Sequence, residues 1–322
     1  MSVPIAGVAP VSRRVRAYFA PVNRAGSAPT LFDPANIASF NVDAPPAPWV
    51  DLGWCSGFVR KSGTHIAALN TGAPAMAAGQ ARTEVEATVS LEFESWGKLQ
   101  LALAAGVQQM NVLKPAAGAA ANGSGGVAAT ALPLATDSTA TALDVGTTAA
   151  PSFNVGDVVA VDVDYVAQVG FVGSGVSGGY VTSPVAVASD PNYIRRVTLN
   201  VGRVTAIAGG VLTLGAPLPA GIPVTGMKVS PVAAFCDREG GGFFQEWSAL
   251  FVLDGAEGDR VIFHYPRLQS MAGIAEKTEA LAGGLAKLRL AGTFRALPVV
   301  DANDGERVVC FRSYLAAALR AV

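Results

Sequence analysis

TEVEATVSLEFES, residues 83–95, is the stretch from which we infer the fold. Apolar side chains occupy every second position, and acidic or hydroxyl side chains occupy the positions between them. A repeat of two residues is typical of a β-strand with one buried and one polar face, because successive side chains leave a strand on opposite sides. The carboxylates on the polar face are Glu84, Glu86, Glu92 and Glu94. We therefore predict a long strand that turns an acidic face toward water or basic partners.

A short amphipathic helix is predicted directly after this strand. Ser95 occupies the position of an N-cap, and Gly106 can end the helix. Trp96, Leu99 and Leu103 fall on one stripe, so we expect them to pack the helix against the sheet.

A second long alternating strand is predicted at residues 285–296, and its polar face is basic. The cations on that face are Lys287, Arg289 and Arg295. If the acidic and basic strands are neighbours, each cross-strand Glu–Lys or Glu–Arg pair helps to fix the register, with about 0.2–1 kcal/mol per pair. The alternative is that the two faces are separate solvated sides of a β-sandwich.

The composition favours strands and turns over long helices. The 322 residues are 51% hydrophobic but only 7% aromatic, and they include 36 Gly and 20 Pro. The formal net charge of −1 gives no overall field for holding nucleic acid or an anionic membrane. Apolar runs are interrupted by Gly, Pro or charge, so we expect neither a membrane span nor a signal peptide. Cys55, Cys236 and Cys310 are far apart in the sequence, which favours buried, reduced thiols and folding in the cytoplasm.

The N-terminal part of the chain changes character before the acidic strand. Residues 1–50 are rich in Pro and are expected to form an extended arm with a short strand near residues 15–20. A strand is predicted at residues 52–61. Residues 63–79 are small, polar and rich in Gly and Ala, which favours a loop or hairpin tip.

A second change in composition predicts an insertion. Residues 115–126 form an Ala/Gly/Asn/Ser linker that leads into several short predicted strands, two of them joined at Gly209-Gly210. The predicted domains are a discontinuous β domain of residues 1–112 and 235–322, and a small all-β domain of residues 113–234 inserted into it.

The candidate catalytic motifs each have a simpler structural explanation. Residues 173–179 match both G-x-G-x-x-G and G-x-S-x-G, but the residues that follow do not predict the helix that either site requires. His65 and His264 lack a partner at a diagnostic spacing, and we expect them on the surface or in a satisfied core. Glutamates on one strand could include an acid/base pair, but their regular spacing is typical of a solvated face. We therefore expect no enzymatic activity, no cofactor and no metal site.

Several segments of the chain carry a family resemblance. They are YFAP at residues 18–21, WVDLGWCSGFVRK at 49–61, the Glu-rich strand, WGKLQ at 96–100 and RVIFHYP at 260–266. Together they resemble the major tail tube protein of a tailed bacteriophage or prophage. The resemblance covers residues 15–112 and 242–315, and it leaves the predicted insert outside.

This resemblance implies a mainly β fold, a tail-tube-like β-sandwich or barrel with one flanking helix. It implies hexameric rings that stack into the hollow tube of a virion tail, with genomic DNA as non-specific cargo in the lumen and the charged face near that lumen. The implied partners are other copies of the chain and other tail proteins, such as a tape measure, baseplate or tail terminator, assembled in the host cytoplasm. The alternative is a β-rich binding module or adhesin of a phage or bacterial surface structure.

Overall fold

The structure is a computed structural model, and the chain is mainly β. It describes residues 14–22, 29–35, 40–41, 43, 45–46, 49–106, 109–114, 131–162, 200–218, 221–223, 225–237, 246–255, 258–271, 275–281 and 285–315. Within these ranges strands form large antiparallel sheets accompanied by one short α-helix, so the predicted fold class is confirmed.

The regular elements follow one another in an order dominated by strands. In chain order they are β1 (Val15–Pro21), β2 (Val50–Thr71), β3 (Met76–Phe93), α1 (Lys98–Ala105), β4 (Gln109–Leu113), β5 (Leu132–Pro133), β6 (Ala142–Asp144), a 3-10 turn (Ala150–Ser152), β7 (Val158–Asp162), β8 (Val201–Ala208), β9 (Val211–Leu214), β10 (Lys228–Asp237), β11 (Glu246–Asp254), β12 (Arg260–Ser270), β13 (Ala275–Ala280), β14 (Ala286–Ala296), β15 (Val299–Val300), β16 (Arg307–Val308) and β17 (Phe311–Leu315).

Contacts within the chain divide it into two compact units. The first contains residues 1–96, 103–106 and 244–322, and the second contains residues 97–102 and 107–243. That residues 113–234 fold as a separate inserted domain stays a prediction.

An antiparallel sheet of eight strands forms the first unit. Its order is β13-β14-β3-β2-β1-β11-β12-β17, and the end of β12 also pairs with β14, with Leu268 opposite Ala296. The sheet therefore closes on itself through β14, β3, β2, β1, β11 and β12. A closed sheet has one interior, and apolar side chains from all of these strands can share it.

Aromatic side chains fill much of this interior. Phe19 of β1 lies at the centre, with ring centroids 6.2 Å from Trp247, 6.0 Å from Phe251 and 5.5 Å from Phe294. All four side chains are almost fully buried. Each buried ring of this size contributes about 1.5–3 kcal/mol to folding. Phe19 therefore makes β1, which lies between β2 and β11, a central strand of this core.

Strands β2 and β3 form one long hairpin, and residues 63–79, predicted as a loop or hairpin tip, form its tip as paired strands joined by a turn at residues 72–75. Pairing runs from Cys55 opposite Phe93 to Thr71 opposite Met76. Side chains on both faces of the outer part are exposed. A strand is recognised in a sequence by alternation, which arises when one face is buried and the other is exposed. A strand that is exposed on both faces lacks this pattern, so its sequence is similar to that of a loop.

The start of the helix also differs from the prediction. Helix α1 begins at Lys98, so Ser95 is not its N-cap. The Gly97 N–H donates instead to Oε1 of the Gln100 side chain at 2.9 Å. Gly97 is the N-cap, because its carbonyl accepts the Leu101 N–H at 3.0 Å, and Gln100 at N3 satisfies the N-cap N–H as in a capping box.

The end of the helix is as predicted, at Gly106. Gly106 has a φ of +64°, in the left-handed region that favours glycine. A Cβ added there would lie 2.6 Å from Cβ of Ser270. The Ser270 hydroxyl donates to the Ala104 carbonyl at 2.5 Å, so β12 contacts the last turn directly.

The second unit has its own sheet and core. Its strands follow the order β4-β10-β7-β8-β9-β6, and β5 pairs with β10. The predicted Gly209-Gly210 hairpin turn between β8 and β9 is confirmed. Lys114 forms an ion pair with the buried carboxylate of Asp157, which also accepts the Asn154 N–H at 3.0 Å. The core side chains are Leu143, Val145, Ala150, Phe153, Val159, Val161, Val204, Leu212, Leu214, Leu218, Met227 and Val229.

Candidate assembly surface

The acidic face of β3 lies beside the basic face of β14. The two strands are antiparallel neighbours. Nη2 of Arg295 lies 2.8 Å from Oε1 of Glu86, and Nη1 of Arg289 lies 2.8 Å from Oε2 of Glu92. The face is therefore crossed by ion pairs instead of being uniformly acidic.

Arg289 has a second carboxylate partner on the other side of β14. Its Nε donates to Glu279 of β13, a residue that the sequence analysis did not select. The hydrogen bond from Arg289 is the main cause that lowers the pKa of Glu279. The pKa of Arg289 is raised in turn by Glu279 and then by Glu92. One guanidinium thus links three neighbouring strands.

The remaining predicted charges lie at the margins of this face. His65 Nε2 is 3.9 Å from Oε2 of Glu84, and Arg14 Nη1 is 3.9 Å from Oε2 of Glu94. Lys287 is exposed, and its charge also lowers the pKa of Glu279. That these side chains line a lumen stays a prediction.

Residues 61–86 of the β2–β3 hairpin form a surface that we call the outer ribbon. Apart from the half-buried Gly79, every residue of the ribbon is exposed. Residues 66–81 carry no charged side chain. The large apolar side chains of the ribbon are Ile66, Leu69, Met76 and Val85, which are 56%, 58%, 69% and 48% exposed. A two-stranded ribbon with apolar side chains in water is marginally stable by itself, and such surfaces commonly mark interaction sites.

The sequence analysis missed the apolar side chains of the ribbon. One available signal was the uncharged run of residues 66–81, which is nearly symmetric about the turn at residues 72–75. This signal does not involve the alternation on which strand prediction usually depends.

The predicted helix-packing residues have different environments. The Trp96 indole N–H donates to the Leu288 carbonyl at 2.9 Å. Leu103 is 1% exposed, whereas Leu99 is half-buried. Because α1 begins at Lys98, Trp96 precedes the helix, and its predicted place on the helix stripe is wrong. That Leu99 and Leu103 pack the helix against the sheet stays a prediction.

Reactive side chains were compared with the requirements of catalytic and metal sites. No group of three or more His, Cys, Asp or Glu side chains that could hold a metal occurs among the residues that the structure describes. Burial raises the pKa of the Cys55 thiol to about 12, which keeps it protonated. The glycine motifs of residues 173–179 lie outside the described ranges. Within those ranges, no helix has the length and apolar character needed to cross a bilayer.

Comparison with known proteins assigns no family. No protein-family model matches the chain, and no curated protein matches it.

Proposed function

We propose that this protein is a structural subunit that self-assembles into stacked hexameric rings and forms the tail tube of a bacteriophage or prophage. The observation that carries the proposal is the outer ribbon, which exposes apolar side chains on a hairpin too long for its own domain to cover. The resemblance of the sequence to tail tube proteins gives the form of assembly. Other copies of the chain are the first partners, and other tail proteins would contact the ends of the tube.

The energetics of the ribbon favour association. Full burial of a large apolar side chain contributes about 1.5–3 kcal/mol. Ile66, Leu69 and Met76 are all more than half exposed in the single chain. Covering them in an assembly would also supply the packing that an isolated two-stranded hairpin lacks.

The charged face has the properties expected of a surface that each subunit of a ring would contribute to the wall of a DNA channel. Glu86 and Glu92 are paired with arginines, so neighbouring strands can lie side by side without strong repulsion. At the edges of this face, the Glu84 side chain is largely exposed and the Glu94 side chain is partly exposed. We propose a lumen with a weakly negative residual charge, which acts on phosphates over about 8 Å at physiological salt and does not hold them.

The second unit is proposed to decorate the exterior of the tube. This follows from the abrupt loss of basic residues after Lys114 and from the separate core of the unit. The protein would be assembled in the bacterial cytoplasm and would end in the virion tail.

Assembly is tested by negative-stain electron microscopy and sedimentation velocity of the purified chain. We expect rings or tubes for the wild type. The ribbon variant changes Ile66, Leu69 and Met76 to Ser, and it should give folded subunits that do not assemble.

The matched control removes equal numbers of exposed apolar side chains elsewhere. It changes Val155, Ile222 and Val300, which are 63%, 67% and 65% exposed, to Ser. The control should assemble like the wild type. Monodisperse wild-type monomers at high concentration would contradict the proposal and favour a binding module or adhesin.

A further inference from the structure

Residues 29–35 form a segment, here called the strap, that is attached to the first unit at Thr30. The Thr30 N–H donates to Oγ of Ser248 at 2.9 Å, and that hydroxyl donates to the Pro266 carbonyl at 2.7 Å. The Thr30 carbonyl lies 3.4 Å from Nε2 of His264. Because a carbonyl can only accept, His264 must carry its proton on Nε2 to make this bond. Both backbone polar groups of Thr30 therefore bond to side chains of the body.

His264 is enclosed by aromatic rings. It is 3% exposed, and its ring centroid is 5.8 Å from Phe311, 6.1 Å from Trp49 and 6.4 Å from Phe32 of the strap. Burial lowers the pKa of His264 to about 4, against a smaller opposing effect of the Thr30 carbonyl. The imidazole is thus neutral at physiological pH, and it is positioned where a charge would be poorly solvated.

A cavity of about 750 Å³ adjoins the imidazole. The strap forms one wall, through Leu31 and Phe32, and the other walls come from residues 298–303 and 311–313. This volume lies in the range of small-ligand pockets, roughly 300–1,000 Å³. A displaced strap would therefore expose a preformed, largely apolar space instead of a packed core.

Four charged side chains line the cavity together with His264. They are Asp33 on the strap, Arg267 on β12, Asp301 in the turn after β15 and Arg312 on β17. On β11, Leu250 lies opposite His264. Glu246 of the same strand forms a salt bridge with Arg267, with 2.9 Å between the carboxylate oxygen and the guanidinium nitrogen. In the described part of the chain, no ion pair joins the imidazole to a carboxylate. A protonated His264 would therefore lack a direct counter-ion there.

We propose that His264 is an acid-sensitive latch whose protonation releases the strap and opens the adjoining cavity. Protonation puts a charge among three aromatic rings, and a strap that moves away admits water to that charge. The latch is independent of ring assembly, because every group in it belongs to one copy of the first unit.

The direction and size of the effect follow from the two protonation states. The pKa of His264 is lower in the latched state than its ordinary value of 6.5. The latched state is therefore most favoured above pH 6.5, and this preference is lost as the pH falls toward 4. With a value near 6.5 in the released state, the released population rises roughly 20-fold between pH 7 and 5, and by at most roughly 240-fold between pH 7 and pH values well below 4.

Hydrogen exchange of the full chain measures strap release directly. Protection of the Thr30 amide, which donates to Ser248, should fall at least tenfold between pH 7 and 5 after correction for intrinsic exchange rates. Amides of β11 should stay protected over the same range. The variant His264→Gln keeps an N–H donor for Thr30 but does not titrate, so its strap protection should not change with pH.

Two further measurements separate the latch from other acid effects. The double variant Asp33→Asn/Asp301→Asn should respond like the wild type, because these carboxylates are not the switch. An NMR titration of the wild-type imidazole should give a midpoint near 4, and it requires no variant to fold. Equal strap protection at pH 7 and 5, loss of β11 protection together with the strap, a response that His264→Gln shares, or an imidazole midpoint near 6.5 would each overturn the proposal.

Discussion

The inner and outer parts of the β2–β3 hairpin share two continuous strands but differ in every aspect of their environment. At the inner end, Val89, Leu91 and Phe93 are at most 2% exposed, and they point into the closed sheet. At the outer end, Leu69 and Met76 are 58% and 69% exposed. Both parts pair antiparallel within the hairpin, but the inner part also pairs with β1 along β2 and with β14 along β3. Among the described strands the outer part pairs only within the hairpin, so it lacks the neighbours that bury the inner part and must obtain its packing from elsewhere.

The largest expected effect comes from equal truncations at the two ends. Leu91→Ala should lower the free energy of unfolding by about 2–5 kcal/mol, because it leaves a cavity in the closed sheet. Leu69→Ala should change it by less than about 0.5 kcal/mol, because that side chain is exposed. Urea denaturation of both variants under non-assembling conditions measures the contrast. A cost for Leu69→Ala similar to that of Leu91→Ala would show that the ribbon is packed within one chain.

The two histidines give a comparison of the same kind. Because the pKa of His264 is lowered in the folded protein, its contribution to the free energy of unfolding is complete above pH 6.5 and is lost as the pH falls toward 4. The loss amounts to about 3 kcal/mol, since each pKa unit corresponds to about 1.36 kcal/mol. His264→Gln should remove that part of the pH dependence in urea titrations at pH 7 and 4. His65→Gln, at a side chain that is 74% exposed on the ribbon, should leave it in place. Identical pH profiles for the wild type and His264→Gln would contradict the expectation.

A smaller effect is expected from two Val→Thr variants, each of which places a hydroxyl at a different position on the same face of β3. Val89→Thr buries a polar group in a position that is 0% exposed, which should cost about 1–3 kcal/mol. Val85→Thr changes a position that is 48% exposed and should be nearly neutral. Thermal unfolding of the two variants locates the boundary between the inner and outer parts. Equal melting temperatures would show that no such boundary lies between these residues.

The smallest effect is expected for the pair of Glu86 and Arg295. Both side chains are about half exposed, at 48% and 52%, so solvent screens their attraction. A double-mutant cycle with Glu86→Gln and Arg295→Met should give a coupling of about 0.2–1 kcal/mol that falls with added salt. A coupling well above this range, or one insensitive to salt, would mean that the pair is shielded from water.

The parts of the fold that could be predicted from sequence are those where one face is buried. The alternation identifies β3 because its apolar positions from Ala87 to Phe93 point into the core. The expectation that Val85 shares this buried face is wrong, because the pairing of β3 with β14 ends at Thr88. The same rule fails for residues 63–79, which pair as strands but have no buried face to impose a pattern. The helix start was missed for a local reason, since Gly97 is the N-cap and the Gln100 side chain satisfies its N–H.

The candidate sites depended more on long-range geometry. Glu86 and Glu92 could be selected from their strand, but the role of Glu279 depends on the position of β13 beside β14. The environment of His264 is formed by Phe32, Trp49 and Phe311, which are distant in sequence. No spacing rule connects them, so the sequence predicted only a surface or satisfied core histidine.

The contact between Gly106 and Ser270 has a consequence for how this chain can vary in evolution. A methyl group at position 106 would collide with the Ser270 side chain, and the hydroxyl at position 270 is held by the helix end beside it. Each position therefore limits the residues that the other can accept. Position 106 is also limited by its φ of +64°, so shortening residue 270 alone would not admit a larger residue there. In related sequences, glycine at position 106 should therefore persist even where position 270 varies.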